Sequence, residues 1–293
     1  MAIKVIPADA PLGAEVCGVN LSRPLDRGTI EVVHEAWLEH LVIYFRGQEI
    51  DQHQQLAFTQ HFGEVGAMRS PRTQLDLKGI PQEPGIMTVS NIRRNGKPLG
   101  LAHDGEMWFH SDMCFDENPL KATLLYGIEI PSKGGNTLFA NMYLAYERLS
   151  KDIKETIRGR TALQMHEFHR TDRPQLREDM SDVAHFSHPV AITHAETGRQ
   201  ALFVNRLMTA RINGLDVADS DMLIDELLRV SEDPAIVYEH VWKPGDLVMW
   251  DNRCVTHART DFSETERRLL RRTTTDGSRP FETMVEYSSA GAP

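Results

Sequence analysis

The sequence predicts a mainly β protein with flanking helices, built around a β-barrel or jelly roll. Many short runs of β-branched and aromatic residues are separated by turn signals, which is typical of barrels and sandwiches. The helical patterns are few and lie mostly near the amino terminus. A regular alternation of strands and helices is missing, which disfavours Rossmann and TIM-barrel folds.

The first third of the chain shows the clearest element signals. Two short strands are predicted at residues 3–6 and 14–19, followed by a helix over 26–41 with Val33 and Trp37 on its apolar face. Residues 41–45 form a β-branched and aromatic run that predicts a buried strand. Asp51 is a candidate N-cap for a helix through residue 62, and Asn95-Gly96 predicts a hairpin turn.

The rest of the chain is rich in predicted strands. They are expected at residues 86–89, 107–113, 122–130, 137–140, 162–165, 190–193, 200–204, 236–242, 247–250 and 269–274, with helices at 143–149, 151–157 and 221–230. No repeat, low-complexity stretch or linker divides the sequence. We therefore predict one catalytic domain over residues 1–293, with a loop-like insertion at about 164–190.

Composition excludes several classes of protein. The 293 residues include 32 basic and 42 acidic side chains, a net charge of −10, which argues against nucleic-acid and anionic-membrane binding. The sequence shows neither a long uncharged apolar run nor a signal-peptide pattern. Three widely spaced cysteines do not form a disulfide framework. A cytoplasmic enzyme is the expectation.

A His-X-Asp/Glu pair is the first candidate for metal chemistry. On a strand, residues i and i+2 point to one face, so an imidazole and a carboxylate with this spacing can hold one ion. About two such pairs are expected by chance, and the sequence contains two. His194-Ala-Glu196 lies at a turn, where we expect solvated side chains. His110-Ser-Asp112 lies in an apolar run, where it predicts either metal ligation or a hydrogen-bonded structural pair.

A second group of candidates lies near the carboxyl terminus. His257 follows a strand and a polar Asp-Asn-Arg segment, and Arg268 comes eleven residues later. If residues 267–272 form a strand, Arg268 and Arg272 share one face. Such a face could bind anionic small molecules through guanidinium groups, or it could be a solvated face with ordinary salt bridges.

These residues together resemble the taurine dioxygenase and chlorophenoxyacetate dioxygenase family, whose members are non-haem Fe(II), 2-oxoglutarate-dependent oxygenases. The similarity runs from about residue 5 to residue 277. Its motifs are His110-X-Asp112, His257 in Trp-Asp-Asn-Arg-X-X-X-His, an arginine eleven residues beyond, Gly134-Gly-Asn-Thr137, Asn141-Met-Tyr-X-Ala-Tyr146, Leu202-Phe-Val-Asn205 and Tyr44-Phe-Arg-Gly47.

The resemblance implies a double-stranded β-helix core and a site for Fe(II), 2-oxoglutarate and O2. His110, Asp112 and His257 match the three iron ligands, and two imidazoles with one carboxylate leave positions open on the metal. Arg268 and Thr137 match the residues that bind 2-oxoglutarate. Arg272 matches the arginine that binds the acidic group of the primary substrate. The implied reaction is hydroxylation of a small anionic molecule, with succinate and CO2 as co-products.

Two departures from the family pattern bear on the substrate. Taurine-specific relatives carry a histidine soon after the Phe-Gly-Glu segment, and the corresponding Phe62-Gly-Glu segment here is not followed by one. They also carry an asparagine four residues before the first ligand, where this chain has Glu106, a candidate substrate-binding residue. We therefore expect a sulfonate, carboxylate or aryloxyalkanoate other than taurine.

Other functions remain open from the sequence. The same iron site could serve desaturation or epoxidation in a biosynthetic pathway, because the outcome depends on where the substrate C–H lies. A non-catalytic jelly-roll binding protein is a further alternative. The resemblance also implies a homo-oligomer, a dimer or a tetramer.

Overall fold

A computed structural model of the chain describes residues 2–66, 82–100, 106–166, 173–176 and 179–283. The strands are β1 Lys4–Pro7, β2 Ala14–Cys17, β3 Val42–Phe45, β4 Met87–Ser90, β5 Arg93–Arg94, β6 Lys97–Pro98, β7 Met107–His110, β8 Ala122–Glu129, β9 Thr137–Asn141, β10 Thr161–Met165, β11 His185–Pro189, β12 Ala191–Thr193, β13 Gln200–Leu202, β14 Thr209–Ile212, β15 Val237–His240, β16 Leu247–Asp251, β17 Val255–Arg259 and β18 Leu269–Thr275. The helices are α1 Arg27–His40, α2 Gln52–Gln60, α3 Met142–Glu147, α4 Lys151–Ile157 and α5 Val217–Ser231.

Two sheets form the centre of the fold. The larger has the strand order β1-β2-β3-β16-β8-β18-β4, and the smaller has the order β15-β9-β17-β7. Their facing side chains share one apolar cluster, in which Phe139 and Val255 of the smaller sheet join Leu125, Trp250 and Leu270 of the larger. Two packed sheets of this kind confirm the predicted jelly-roll core.

The larger sheet is also covered on its other face. Ile43, Leu124 and Met249 pack there against Trp37 of α1 and Phe58 of α2. A strand buried on both faces needs apolar residues at consecutive positions, which explains the continuous apolar runs of β3 and β16.

Side-chain caps begin the first two helices, and the predicted N-cap at Asp51 and hairpin turn at Asn95-Gly96 form as expected. The Asp26 side chain accepts a hydrogen bond from the Thr29 N–H at the start of α1. Asp51 and Gln54 form a capping box at the start of α2. Asn95 and Gly96 have φ angles of 53° and 75°, the left-handed pair that a two-residue hairpin between β5 and β6 requires.

Two predictions about local structure were wrong, and two strands were not predicted. The strand expected over 107–113 ends at His110, because Met113 has a φ of 58° and the Asp116 N–H bonds back to its carbonyl. Strands β14 and β17 were missed. Residues 185–189 of the expected loop-like insertion form β11, which pairs with β10. Residues 167–172 and 177–178 of that insertion lie outside the described part of the chain.

None of the described helices combines the length and apolar character needed to cross a bilayer.

Candidate active site

Two histidines meet across the smaller sheet. His110 ends β7, and His257 lies in the middle of β17, directly opposite it in the antiparallel register. Directly opposed residues place their side chains on one face, and the two ring centroids are 4.1 Å apart. The pairing of β7 with β17 therefore brings together two imidazoles that are far apart in the sequence.

Asp112 joins the two histidines from the turn after β7. Its Oδ1 lies 4.0 Å from Nε2 of His110, and one ligand atom from each of His110, Asp112 and His257 lies within 4.8 Å of the others. The expectation that His110 and Asp112 share a strand face was wrong, because the strand ends before Asp112. The turn still directs the carboxylate to the histidines.

The hydrogen bonds of the two rings leave nitrogen atoms available. Nδ1 of His110 donates to the Trp108 carbonyl at 2.8 Å, so the proton sits on Nδ1 and the Nε2 lone pair is free to bind a ligand. Nδ1 of His257 is buried and has no hydrogen-bond partner among the described residues. An orphaned nitrogen of His257 and the lone pair on Nε2 of His110, beside a buried carboxylate, fit the donor set of a divalent transition metal ion.

The electrostatics of the cluster favour the protonation states that metal binding requires. Burial lowers the pKa of His257 to about 3 and also lowers the pKa of His110. Burial alone would raise the pKa of Asp112, but nearby positive charge, that of the Arg272 guanidinium above all, outweighs it and lowers that pKa to about 2. Both imidazoles are therefore neutral and Asp112 is ionised at neutral pH.

Arg268 is a buried cation without an acidic partner among the described residues. It is 3% exposed, its Nε donates to the Gly135 carbonyl at 3.1 Å, and burial lowers its pKa to about 9. Two residues after Gly135, the buried Thr137 hydroxyl accepts a hydrogen bond from Trp242 Nε1 at 3.0 Å, so its own proton is free to donate. A buried cation of this kind is suited to an anionic ligand.

Arg272 lies next to the triad. One terminal nitrogen is 2.9 Å from Oδ2 of Asp112, and the buried Nε has no hydrogen-bond partner among the described residues. Its other terminal nitrogen contacts the Met87 sulfur at 3.9 Å. The guanidinium therefore neutralises Asp112 and keeps N–H groups for a further acceptor.

Glu106 is not brought into this cluster. Its side chain is exposed just before β7, and no hydrogen bond or ion pair joins it to another described residue. Sequence reasoning missed two other residues, one that contacts the Asp112 carboxylate directly and one that bonds to the first. Thr123 donates to Oδ2 of Asp112 at 2.6 Å, and Asn252 binds Thr123 at 2.9 Å. The position of Asn252 within the Trp-Asp-Asn-Arg motif was the one available signal.

A second cluster has metal-ligand residue types, but its hydrogen bonds are already made. His194, Asp251 and Cys254 are buried with potential ligand atoms within 4.8 Å. Arg253 binds both Asp251 oxygens, at 2.8 and 2.6 Å, and Nε2 of His194 donates to the same carboxylate at 3.0 Å. The other His194 nitrogen accepts the Thr197 N–H at 3.1 Å. The expectation of a solvated His194 was wrong, and the cluster is a buried ion-pair network.

The chain is similar to known proteins along most of its length. A family model described as "Taurine catabolism dioxygenase TauD, TfdA family" matches residues 4–274. A pentalenolactone F synthase of Streptomyces avermitilis is 32% identical over 96% of each chain. An alpha-ketoglutarate-dependent 2,4-dichlorophenoxyacetate dioxygenase of a Burkholderia species is 33% identical, over 90% of this chain and 91% of the relative.

A solved structure also resembles the fold. The crystal structure of AAD-2 in complex with Mn(II) and N-oxalylglycine has a TM-score of 0.78 and 27% sequence identity, covering 96% of this chain and 99% of that one. N-oxalylglycine has the shape and charge of 2-oxoglutarate, so that protein holds a divalent metal together with a dicarboxylate.

Proposed function

The chain belongs to the taurine catabolism dioxygenase TauD, TfdA family, and from this premise we propose that its triad and arginines serve the hydroxylation of a small anionic organic molecule. It is an Fe(II)- and 2-oxoglutarate-dependent dioxygenase. The observation that carries the proposal is the convergence of His110, Asp112 and His257 beside Arg272, close to the buried cation of Arg268 in the same segment.

His110, Asp112 and His257 are the proposed iron ligands. Their donor set, two neutral imidazoles and one ionised carboxylate, is the one that suits Fe(II) with open positions. When bound, iron with O2 and 2-oxoglutarate supplies the oxidising chemistry, in which one oxygen atom enters the substrate and the other leaves in succinate, with release of CO2. The protein's own residues hold the reactants in position and exclude water.

Arg268 and Thr137 are the proposed 2-oxoglutarate-binding residues. The distal carboxylate of 2-oxoglutarate would pair with Arg268, a buried cation that has no acidic partner among the described residues. The hydrogen bond from Arg268 to the Gly135 carbonyl fixes the guanidinium close to the start of β9, where Thr137 can donate its hydroxyl proton. This pairing of a charge with a hydroxyl favours a carboxylate over a neutral group at this end of the ligand.

Arg272 is the proposed binding residue for the acidic group of the primary substrate. Its unused N–H groups lie beside the triad, so a bound anion would place neighbouring C–H bonds close to the metal centre. The named relatives act on 2,4-dichlorophenoxyacetate or make pentalenolactone F, and a carboxylate, sulfonate or aryloxyalkanoate is the proposed substrate class here. Glu106, exposed before β7, is proposed to line the entrance and to disfavour taurine.

The cellular compartment, the domain organisation and the oligomeric state are also proposed. Cys17, Cys114 and Cys254 are all free thiols, which supports a reducing compartment such as the cytoplasm. We also propose one catalytic domain and a homo-oligomer of two or four chains.

Anaerobic titration tests the proposed function. Apoprotein receives Fe(II) and then 2-oxoglutarate while the visible charge-transfer absorption of the iron–2-oxoglutarate chelate is followed. We expect the band with wild type and no band with Asp112→Ala. A folded, metal-loaded wild type without the band would contradict the assignment. Succinate release with a panel of sulfonates, carboxylates and aryloxyalkanoates then identifies the substrate.

A further inference from the structure

A buried chain of polar side chains ends on the carboxylate of Asp112. It runs from Trp250 through Asn252 and Thr123, which are between 0 and 2% exposed, to Asp112 at 6%. Thr123 on β8 is the direct cross-strand partner of Trp250 on β16, and Asn252 follows β16. The larger sheet therefore supplies the polar residues that lead to Asp112, whereas the smaller sheet supplies the two histidines.

The direction of every hydrogen bond in the chain is determined. An indole N–H can only donate, so the Asn252 atom at 3.0 Å from Trp250 Nε1 is the amide oxygen. The backbone N–H of Asp112, at 3.4 Å, points to the same oxygen. The amide nitrogen of Asn252 then faces the Thr123 hydroxyl at 2.9 Å and donates to it.

Because Thr123 accepts a hydrogen bond from Asn252, its own hydroxyl proton is donated to Asp112. Its oxygen already accepts from Asn252, and its O–H donates to Oδ2 of Asp112 at 2.6 Å. Arg272 binds the same oxygen at 2.9 Å. With Oδ2 occupied by two donors, Oδ1 is the oxygen left to face His110, whose Nε2 is 4.0 Å away.

We propose that Thr123 and Asn252 are positioning residues, which fix the Asp112 carboxylate so that it presents Oδ1 alone to the metal ion. The inference rests on the proposed function, because it assumes that Asp112 is a metal ligand. Partners that orient a ligating carboxylate typically change metal affinity about 10- to 100-fold when they are removed. A purely structural hydrogen bond would instead change stability without changing metal affinity.

Mn(II) titration of the full-length apoprotein, followed by the electron paramagnetic resonance signal of free Mn(II), tests the inference. Thr123→Val keeps the side-chain shape and removes the hydroxyl, and we expect it to raise the Mn(II) dissociation constant about 10- to 100-fold. Thr123→Ser restores the donor and should bind within about threefold of wild type. Thermal unfolding of each apoprotein shows whether the variant is folded.

Thr256→Val is the matched control. Thr256 is 5% exposed and adjoins His257, but its hydroxyl contacts the Met142 sulfur rather than Asp112. This variant should bind Mn(II) as wild type does. Normal binding by Thr123→Val, or a loss in Thr123→Ser as large as in Thr123→Val, would overturn the inference.

A second variant covers the case in which Thr123→Val does not fold. Thr123→Cys retains the size of the side chain with a weaker donor, so a dissociation constant raised about fivefold or more supports the inference and an unchanged one overturns it. His110→Ala separates the two proposals. If wild type and His110→Ala bind Mn(II) equally, the proposed metal centre fails. If only His110→Ala loses binding while Thr123→Val keeps it, the inference alone fails.

Discussion

The guanidinium of Arg272 lies 2.9 Å from the carboxylate of Asp112, and this contact couples the proposed substrate site to the proposed metal site. Arg268, four residues earlier, contacts a backbone carbonyl and has no acidic partner among the described residues. Two arginines from one segment thus have different electrostatic surroundings. Arg272 is already close to one negative charge, whereas Arg268 needs a ligand to supply one.

Replacing Arg272 should therefore affect the primary substrate more than 2-oxoglutarate. For Arg272→Met we expect the KM of the acid found in the substrate screen to rise about 10- to 100-fold, the size expected for a charge-assisted hydrogen bond. The KM for 2-oxoglutarate should change less than about threefold. Steady-state succinate release measures both KM values. Equal increases in the two would contradict the assignment of Arg272 to the primary substrate and Arg268 to 2-oxoglutarate.

Arg268→Met should produce the opposite selectivity. Loss of the buried cation should weaken 2-oxoglutarate binding about 100-fold, because truncating one partner of a buried charge pair is costly. Arg267→Met is the matched control, since Arg267 is exposed and pairs with Glu129 at 2.6 Å. Isothermal titration of the Mn(II)-loaded proteins with 2-oxoglutarate compares them. Unchanged affinity in Arg268→Met would remove its assigned role.

Much of the fold follows from local sequence patterns. The continuous apolar runs of β3 and β16, the capping box at Asp51 and the Asn95-Gly96 turn each depend on neighbouring residues alone. Strand β17 was missed because a polar segment precedes it and three of its five residues, Thr256, His257 and Arg259, are polar. β11 is similar, since it carries two histidines and a serine.

The candidate site is formed by strand pairings that cannot be predicted from local sequence patterns. His110 and His257 meet because β7 pairs with β17, and this register cannot be read from either segment alone. The motif resemblance supplied the pairing instead. Thr123 escaped notice because its role depends on lying opposite Trp250, and His194 was misjudged because its turn folds onto the buried Asp251.

The second buried cluster should act in stability and not in metal binding. Asp251→Asn removes the buried negative charge and one of the two oxygens that accept hydrogen bonds from Arg253 and His194, so we expect a loss of about 3–5 kcal/mol in the free energy of unfolding. Arg253 holds the Asp251 pKa below its usual range even though burial opposes this, so the stabilisation is present at neutral pH and is lost at strongly acidic pH.

Metal stoichiometry checks the same assignment independently. Wild type and Asp251→Asn should each bind one Mn(II) per chain with the same affinity, and His110→Ala should bind none. Urea unfolding of wild type and Asp251→Asn measures the predicted loss in the free energy of unfolding. Binding of two ions per wild-type chain, with one lost in Asp251→Asn, would show that His194, Asp251 and Cys254 hold a metal after all.

His188 should make the apoprotein less stable in mild acid. The side chain is fully buried on β11, and its Nε2 donates to the Asp116 carbonyl at 2.8 Å. Burial, assisted by the Arg279 charge, lowers its pKa from 6.5 to about 4. As the pH falls from about 6.5 to about 4 the unfolded chain gains a proton that the folded chain does not, so stability decreases across this window and is fully present above it.

His188→Gln keeps a donor for Asp116 and removes the titration. We expect wild type to lose up to about 3 kcal/mol more than this variant between pH 7 and pH 4, on the order of the pKa difference converted to free energy. His185→Gln, which replaces an exposed histidine on the same strand, should keep the wild-type slope. Urea unfolding at several pH values measures the slopes. Equal slopes in wild type and His188→Gln would mean that folding does not lower the pKa of His188.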